Sequence, residues 1–368
     1  MVKLLFIRCA KTCRFFVFLF LCCNFSLLTG QDRIQILVNG SAGGIIDGNL
    51  SSYLIGPGAD QKYICLDAGT LINGFSRLNQ SGCLPISSFG QSNLLPEWNM
   101  LRDGISCYLI SHAHYDHIIG LIAASPDDSP KPIYASQNTL NDLTEFVFNN
   151  RIWANFTNQG VSPSLGKYEL ITLPDTTSFD ISNSGFQVTS FPLCHGGTIS
   201  TAFLLKSRLG AVLYLGDTGA DSIERCNNLT FLWTKIAPLI RSDELKAILI
   251  ECSYSNNRAA EKLYGHLTPV LIFKELSRLA RLVNPLEVTT ALKDITLLIT
   301  HIKPTGVKVS NDNHLKVKAA SQGSSSYDSI SCENLAVYER ELILAELQAL
   351  NSLNIKIIIA KQGECLSF

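Results

Sequence analysis

Charge is scarce in this sequence. Only 17% of its 368 residues are Asp, Glu, Lys or Arg, and the formal net charge is −1. A surface that grips a nucleic-acid polymer is normally visible as an excess of Lys and Arg, so no such polymer is expected as a partner. A small charged ligand stays open. None of the twelve cysteines forms a CxxC pair, and a chain this long needs no disulfide framework to fold. There is no internal repeat and no long linker. The apolar run nearest the start, "FFVFLFLCCNFSLL", is short for a helix that spans a bilayer, which takes about 20 residues. What is abundant is apolar side chain, 46% of the total, enough for a substantial core.

The first thirty residues differ from the rest. Lys3, Arg8, Lys11 and Arg14 lead into that apolar run, which ends at "TGQD". Positive residues before a short apolar core are the pattern of a secretory signal peptide. Residues 1–30 are therefore expected to be a signal peptide cleaved after Gly30, although Leu28 is larger than the residue usual three positions before the cut. An uncleaved membrane anchor is the second reading. A buried N-terminal helix is the third, and no amphipathic period supports it. The first reading implies an extracytoplasmic protein, periplasmic or secreted, with no membrane span left after cleavage. Loss of the leader removes Cys9, Cys13, Cys22 and Cys23 and leaves Cys65, Cys83, Cys107, Cys194, Cys226, Cys252, Cys332 and Cys365. Cys65 and Cys107 lie inside apolar runs and read as core residues. Export would allow one or two disulfides, which the sequence does not pair. Asn-x-Ser/Thr sequons begin at Asn39, Asn49, Asn79, Asn155 and Asn228.

After the leader come short apolar runs that read as strands: "RIQILVNG", "SYLIGPG", "KYICLDAGT", "CYLISH", "PIYAS", "FQVTSFPL", "TAFLLKS", "AVLYLGDT", "KAILIEC", "ITLLITHIKP" and "IKIIIAKQG". Between them "LTPVLIFKELSRLARLV" and "ENLAVYERELILAELQALNSL" read as helices. In the second, Leu335, Tyr338, Leu342, Ala345 and Ala349 recur at helical spacing and predict one apolar face. Residues 319–329, "AASQGSSSYDS", have the composition of a surface loop. Many strands with interspersed helices predict a layered α/β fold, with residues 31–368 as one domain.

Histidine is rare, seven in all, yet His112, His114 and His117 fall within six residues around Asp116. "CYLI" before them reads as a buried strand and "HIIGLIAAS" after them as a helix, which places the cluster on a strand-to-helix turn. Neutral imidazoles and a carboxylate on such a turn form a ligand set for Zn²⁺ or a similar ion. The plainer alternative is a solvated turn whose histidines cap the helix. Four further candidates each follow an apolar run: Asp67 in "ICLDAGT", His195 in "FPLCHGG", Asp217 in "LYLGDTG" and His301 in "LITHIKP". Residues at strand ends gather along one edge of a sheet. Singly each reads as structural; together with the cluster they point to one site.

"SHAHYDH", followed in order by these strand-end residues, resembles the metallo-β-lactamase fold superfamily over nearly the whole mature chain. The resemblance implies a four-layered αββα sandwich and a two-metal site on one edge. It places His112, His114 and His195 on the first ion and Asp116, His117 and His301 on the second. Asp217 would bridge both, with Asp67 supporting the His-rich turn. Two such ions can share a hydroxide nucleophile and neutralise phosphoryl charge. A carboxylate at Asp217, where β-lactamases of this fold typically carry Cys, leans towards phosphoesters. Zn²⁺ suits the histidines, with Mn²⁺ as the other candidate.

"HAHYDHIIGLIAASP", with "ILIECSY", "GHLTP" and "THIKP", is similar to the class II cyclic-nucleotide phosphodiesterases. Tyr115 departs from their usual Leu, and Ala123 from a larger aliphatic. This likeness implies hydrolysis of 3′,5′-cyclic AMP or GMP to the 5′-monophosphate, so a small cyclic nucleotide is the expected partner. "ECSY" and "GHLTP" also resemble the tRNA 3′-processing endonucleases of the same superfamily. From both likenesses His266 is expected to protonate the leaving oxygen, oriented by Glu251. Glu251, His266 and the ligand Asp116 make up the expected catalytic set. For His266 a helix-start histidine, and for Glu251 an ordinary strand-end acid, are the structural alternatives. An RNA endonuclease, lactonase or thioesterase on the same site is the competing function, and a non-catalytic metal-binding module the third.

Overall fold

The computed structural model describes residues 33–57, 62–85, 93–304 and 332–368. The expected leader, the expected loop at 319–329 and His314 lie outside the described residues. Fourteen strands are described: β1 (Gln35–Gly40), β2 (Ser52–Gly56), β3 (Tyr63–Leu66), β4 (Ile105–Ile110), β5 (Lys131–Ala135), β6 (Tyr168–Thr172), β7 (Ser178–Ile181), β8 (Phe186–His195), β9 (Thr198–Ser207), β10 (Gly210–Leu215), β11 (Leu245–Glu251), β12 (Thr296–Thr300), β13 (Lys356–Ile359) and β14 (Cys365–Ser367). They form two seven-stranded sheets, ordered β14-β1-β2-β3-β4-β5-β6 and β13-β12-β11-β10-β9-β8-β7. The helices are α1 (Ile72–Gln80), α2 (Pro96–Asn99), α3 (Tyr115–Ala124), α4 (Gln137–Asp142), α5 (Asp221–Glu224), α6 (Asn228–Arg241), α7 (Pro269–Val283) and α8 (Cys332–Leu350).

The central strands read as unbroken apolar runs because both of their faces are covered; β2, β3 and β12 are buried along their whole length. Val38, Tyr53, Leu109, Phe203, Val212 and Leu298 fill the space between the sheets. On the outer face of the first sheet Phe75 of α1, Ile118 and Leu121 of α3 and Leu140 of α4 are buried. On that of the second, Trp233 of α6, Leu276 of α7 and Ile343 of α8 are buried. The result is the expected αββα arrangement.

Each of the eleven expected runs contains a strand. No expectation covered β6, β7 or β14; the last two are short edge strands, largely exposed. The face expected on α8 is wrong. Ile343 and Leu347 are buried with Glu339, whereas Ala345 and Ala349 are exposed and Tyr338 and Leu342 half-buried. Two apolar rows run side by side on this helix, and the one that packs inward removes a large Ile and Leu from water rather than two Ala methyls. The side chain of Leu335 is outside the described residues.

Strand direction positions the site. β3 and β4 are parallel, as are β10, β11 and β12; β8 and β10 each run antiparallel to β9, hence parallel to one another. Their C-terminal ends all open on one edge, where Asp67, the His-rich turn, His195, Asp217, Glu251 and His301 stand. Two sequons are closed to modification in this fold. The amides of Asn39 and Asn155 are buried and donate to Thr70 O at 2.6 Å and Gln159 O at 2.7 Å.

Away from the edge, β4, β5 and β6 are tied by a buried ion pair. Lys131 Nζ lies 2.6 Å from Asp128 Oδ1, while Tyr108 and Tyr168 donate to Asp128 Oδ2 at 2.7 and 2.9 Å. Replacing Asp128 by Ala leaves a buried ammonium without its counter-charge, a change that costs about 3–5 kcal/mol. Urea unfolding of Asp128→Ala is expected to show that loss with an unchanged slope; a loss below about 1 kcal/mol, the scale of an exposed ion pair, refutes it.

Candidate metal centre

Asp67 directly follows β3, and its backbone is left-handed at φ 53°; His301 directly follows β12 at φ 57°. Residues with side chains rarely adopt such angles, and they tend to do so where function holds them. Room for His301 is made by Gly43, where a Cβ would lie 2.3 Å from the imidazole.

The Asp67 carboxylate accepts from the Ser111 amide and hydroxyl, both at 2.7 Å, from His117 Nδ1 at 2.7 Å, and from the Tyr214 hydroxyl. With its proton given to Asp67, the Ser111 hydroxyl accepts from His112 Nδ1 at 3.0 Å. His195 Nδ1 donates to Gly265 O at 2.8 Å, and His301 Nδ1 to Ser253 Oγ at 3.0 Å. In four histidines Nδ1 is thus the donor, so each turns the lone pair of Nε2 inward. Metal-binding histidines are commonly oriented in this way.

These nitrogens surround Asp217. Its Oδ1 lies 3.2 Å from His117 Nε2, and its Oδ2 lies 3.4, 3.7 and 3.8 Å from Nε2 of His301, His195 and His112. Ligand atoms of His112, His114, His195 and Asp217 fall within 4.8 Å of one another, as do those of Asp116, His117 and His301, and those of Asp217, His266 and His301. His112 Nε2 and Asp217 Oδ2 are buried with no hydrogen-bond partner. Buried acceptors left without a donor are costly, and a divalent cation satisfies both. The residues fit a metal.

Electrostatics agree. Burial and the neighbouring His117 hold the His112 imidazole well below its usual pKa, the neutral form that a ligand needs. Burial alone would raise Asp217, but His301 and His117 hold its carboxyl well below the usual range. Asp116 is lowered in the same way by His301 and His117 against the effect of burial. Burial would lower His117, yet the carboxylates of Asp217 and Asp67 outweigh it and raise the imidazole well above its usual value.

Glu251, at the end of β11, receives the Thr218 amide at 3.1 Å, the Ser253 hydroxyl at 2.8 Å and His266 Nδ1 at 2.7 Å. The two share their charge: His266 lowers the Glu251 carboxyl despite burial, and Glu251 raises the imidazole despite burial. All the site residues expected from the sequence are therefore brought together. Missed were Ser111, Ser253 and Tyr214, which orient the ligands, and Lys303, whose Nζ lies 2.9 Å from His266 Nε2. "ECSY" and "THIKP" contain Ser253 and Lys303, yet neither residue is a usual metal ligand. The open disulfide question also has an answer here: Cys194 is bonded to Cys226, which ties the strand end bearing His195 to the segment after α5.

The family model for class-II cAMP phosphodiesterases matches residues 33–363. A 3′,5′-cyclic-nucleotide phosphodiesterase of Aliivibrio fischeri is 35% identical over 95% of this chain and 98% of its own length. A probable 3′,5′-cyclic-nucleotide phosphodiesterase of Yersinia pestis is 35% identical over 94% and 93%. Among solved structures, unliganded yeast PDE1 is similar with a TM-score of 0.71 at 23% identity, over 91% of this chain and 99% of its own. The metallo-β-lactamase fold protein YhfI of Bacillus subtilis gives 0.54 at 16% identity, over 92% and 100%. Both likenesses are of fold: the two-sheet architecture described above.

A ligand that binds only the folded state stabilises it, by about 4 kcal/mol at a thousandfold excess over Kd. Zn²⁺ or Mn²⁺ added to chelator-stripped protein is therefore expected to raise the unfolding midpoint. The gain should shrink in more acidic buffer, because the metal must displace the proton that the carboxylates favour on His117. An unchanged midpoint at saturating metal would count against the site.

Proposed function

The chain belongs to the family of class-II cAMP phosphodiesterases, and on that premise we propose that it hydrolyses 3′,5′-cyclic nucleotides to 5′-monophosphates at this centre. The observation that carries the reading is the convergence of Nε2 from His112, His117, His195 and His301 on Asp217, with Asp217 Oδ2 unpartnered. His112, His114 and His195 would hold one divalent ion, Asp116, His117 and His301 a second, and Asp217 both. Zn²⁺ suits the imidazoles best, with Mn²⁺ the alternative. Cations bound there would supply positive charge for the phosphoryl oxygens and lower the pKa of water.

The protein's own groups supply the rest. Expulsion of the 3′-oxygen leaves an alkoxide, a poor leaving group that benefits from a proton. Glu251 accepts from His266 Nδ1 at 2.7 Å and favours the charged imidazole, so Nε2 is the atom that would deliver that proton. Nε2 faces Lys303 Nζ and, while the ammonium donates to it, carries no proton; once the ammonium moves aside, Nε2 would take up a proton from water and pass it to the leaving oxygen. His266→Ala is expected to keep two ions per chain and to lose turnover on cAMP by roughly 10²–10⁴-fold. On an ester with a nitrophenolate leaving group, which departs without a proton, the loss should be much smaller. Equal losses on both substrates, or loss of metal, would assign His266 a structural role.

We also infer that the protein works outside the cytoplasm, after cleavage of residues 1–30. Support comes from the basic-then-apolar leader and from the Cys194–Cys226 disulfide, a bond that persists in oxidising compartments. N-terminal sequencing of the extracytoplasmic fraction should begin near Gln31; full-length chain beginning at Met1 in the cytoplasm would sink the proposal.

A further inference from the structure

The site gathers several carboxylates, while its substrate is itself an anion. Asp67, Asp116, Asp217 and Glu251 are all within it. Metal ions bound there would offset part of that charge. Among the described residues, Lys303 is the only ammonium or guanidinium group that forms an ion pair with one of these four carboxylates, and it does so loosely. Its Nζ stands 3.8 Å from Asp116 Oδ2, far beyond the 2.7–2.9 Å of a charge-assisted hydrogen bond. Its close partner is His266 Nε2 at 2.9 Å, which brings no negative charge. The positive charge of Lys303 is thus held inside the site without being used by a tight pair.

The side chain is placed from both ends. Its backbone amide donates to Ser253 O at 3.0 Å, next to the hydroxyl that orients His301. Its stem lies over Gly44, with Cγ and Cδ each 3.6 Å from where a Cβ on that glycine would stand. The same loop approaches the ligand set, because the Gly44 amide donates to Asp116 Oδ2 at 2.9 Å. The Lys303 side chain keeps 20% exposure, so a ligand entering from solvent can reach it. The ammonium therefore sits between the Glu251–His266 pair and the Asp116, His117, His301 set.

We propose that Lys303 is a catalytic residue that binds a non-bridging oxygen of the substrate phosphate, leaving His266 Nε2 to do so. The inference rests on the phosphodiesterase reading above. The phosphodiester carries one negative charge, which grows towards two as the nucleophile adds, and a fixed ammonium beside those oxygens gains with it. Movement from His266 to the phosphate also frees Nε2 to take up, from water, the proton it then gives to the leaving oxygen. No bond of Lys303 is made or broken.

The test uses the metal-loaded enzyme. Lys303→Met and Lys303→Gln remove the charge, and Lys303→Arg keeps it. With metal content and unfolding midpoint unchanged, both uncharged variants are expected to lose roughly ten- to a hundredfold in kcat/KM, the scale of one hydrogen bond to a charged group. The loss should be equal on cAMP and on bis(p-nitrophenyl) phosphate, because both present the same phosphoryl charge; His266→Ala instead spares the activated ester. Inhibition by 5′-AMP should weaken by a similar factor, and Lys303→Arg should recover part of both effects. Unchanged kcat/KM and unchanged inhibition by AMP would overturn the proposal. So would loss of metal, which would make Lys303 a support for Asp116, and so would a loss confined to cAMP, which would make it a partner of His266. Failure of the wild-type enzyme to cleave any cyclic nucleotide would instead refute the phosphodiesterase reading itself.

Discussion

One buried carboxylate decides the chemistry of the edge. Asp67 accepts from the Ser111 amide, the Ser111 hydroxyl, His117 and Tyr214. A buried carboxylate without donors is expensive, so each of these protons is committed to it. The consequence reaches one residue further: the Ser111 hydroxyl, having given its proton away, must accept from His112. Two histidines on one turn are thereby forced into the tautomer that offers Nε2 to Asp217. Ser253 acts likewise on the opposite sheet, giving its proton to Glu251 and accepting from His301. The centre is defined by where its protons are fixed as much as by its ligands.

This arrangement needs two sheets. Asp67 and the His-rich turn belong to the first, while His195, Asp217, Glu251 and His301 belong to the second. Tyr214 crosses the interior, pointing from β10 of the second sheet to Asp67 of the first. It packs beside Tyr53 of β2, with ring centroids 5.6 Å apart. The dry core between the layers therefore also fixes how the two halves of the ligand set meet, and burial strengthens each hydrogen bond made there.

Much of this was legible in the sequence, for physical reasons. Buried strands are unbroken apolar runs, and a polar residue directly after such a run must stand at a sheet edge; that logic located Asp67, His195, Asp217 and His301. Ligand types are few, so the histidines identified themselves. The remainder lacked a local signal. β7 and β14 are exposed edge strands whose pairing depends on remote partners. On α8 two apolar rows lie side by side, and contact with its neighbours selects Ile343 and Leu347. Ser111 and Ser253 are ordinary residues whose importance arises only once a carboxylate is folded next to them. The Cys194–Cys226 pairing is likewise set by tertiary approach across 32 residues of sequence.

Strain and close approach are concentrated where these constraints meet. Asp67 and His301 hold left-handed backbone. At Gly265 a Cβ would come within 2.2 Å of the Gly196 nitrogen, and the Gly265 carbonyl is the group that orients His195. A side chain there would push the two segments apart and take the acceptor away from the imidazole. Tyr264, just before it, is also left-handed and 65% exposed, although a bulky residue has no intrinsic preference for that conformation. The 264–265 turn thus accepts one unfavourable backbone angle, at Tyr264, and uses the freedom of glycine at 265 (φ 80°), to bring one carbonyl to one histidine. Local rules are broken at functional sites when a tertiary contact outweighs them, and here the contact is identifiable: it fixes which nitrogen of His195 faces the metal ligands.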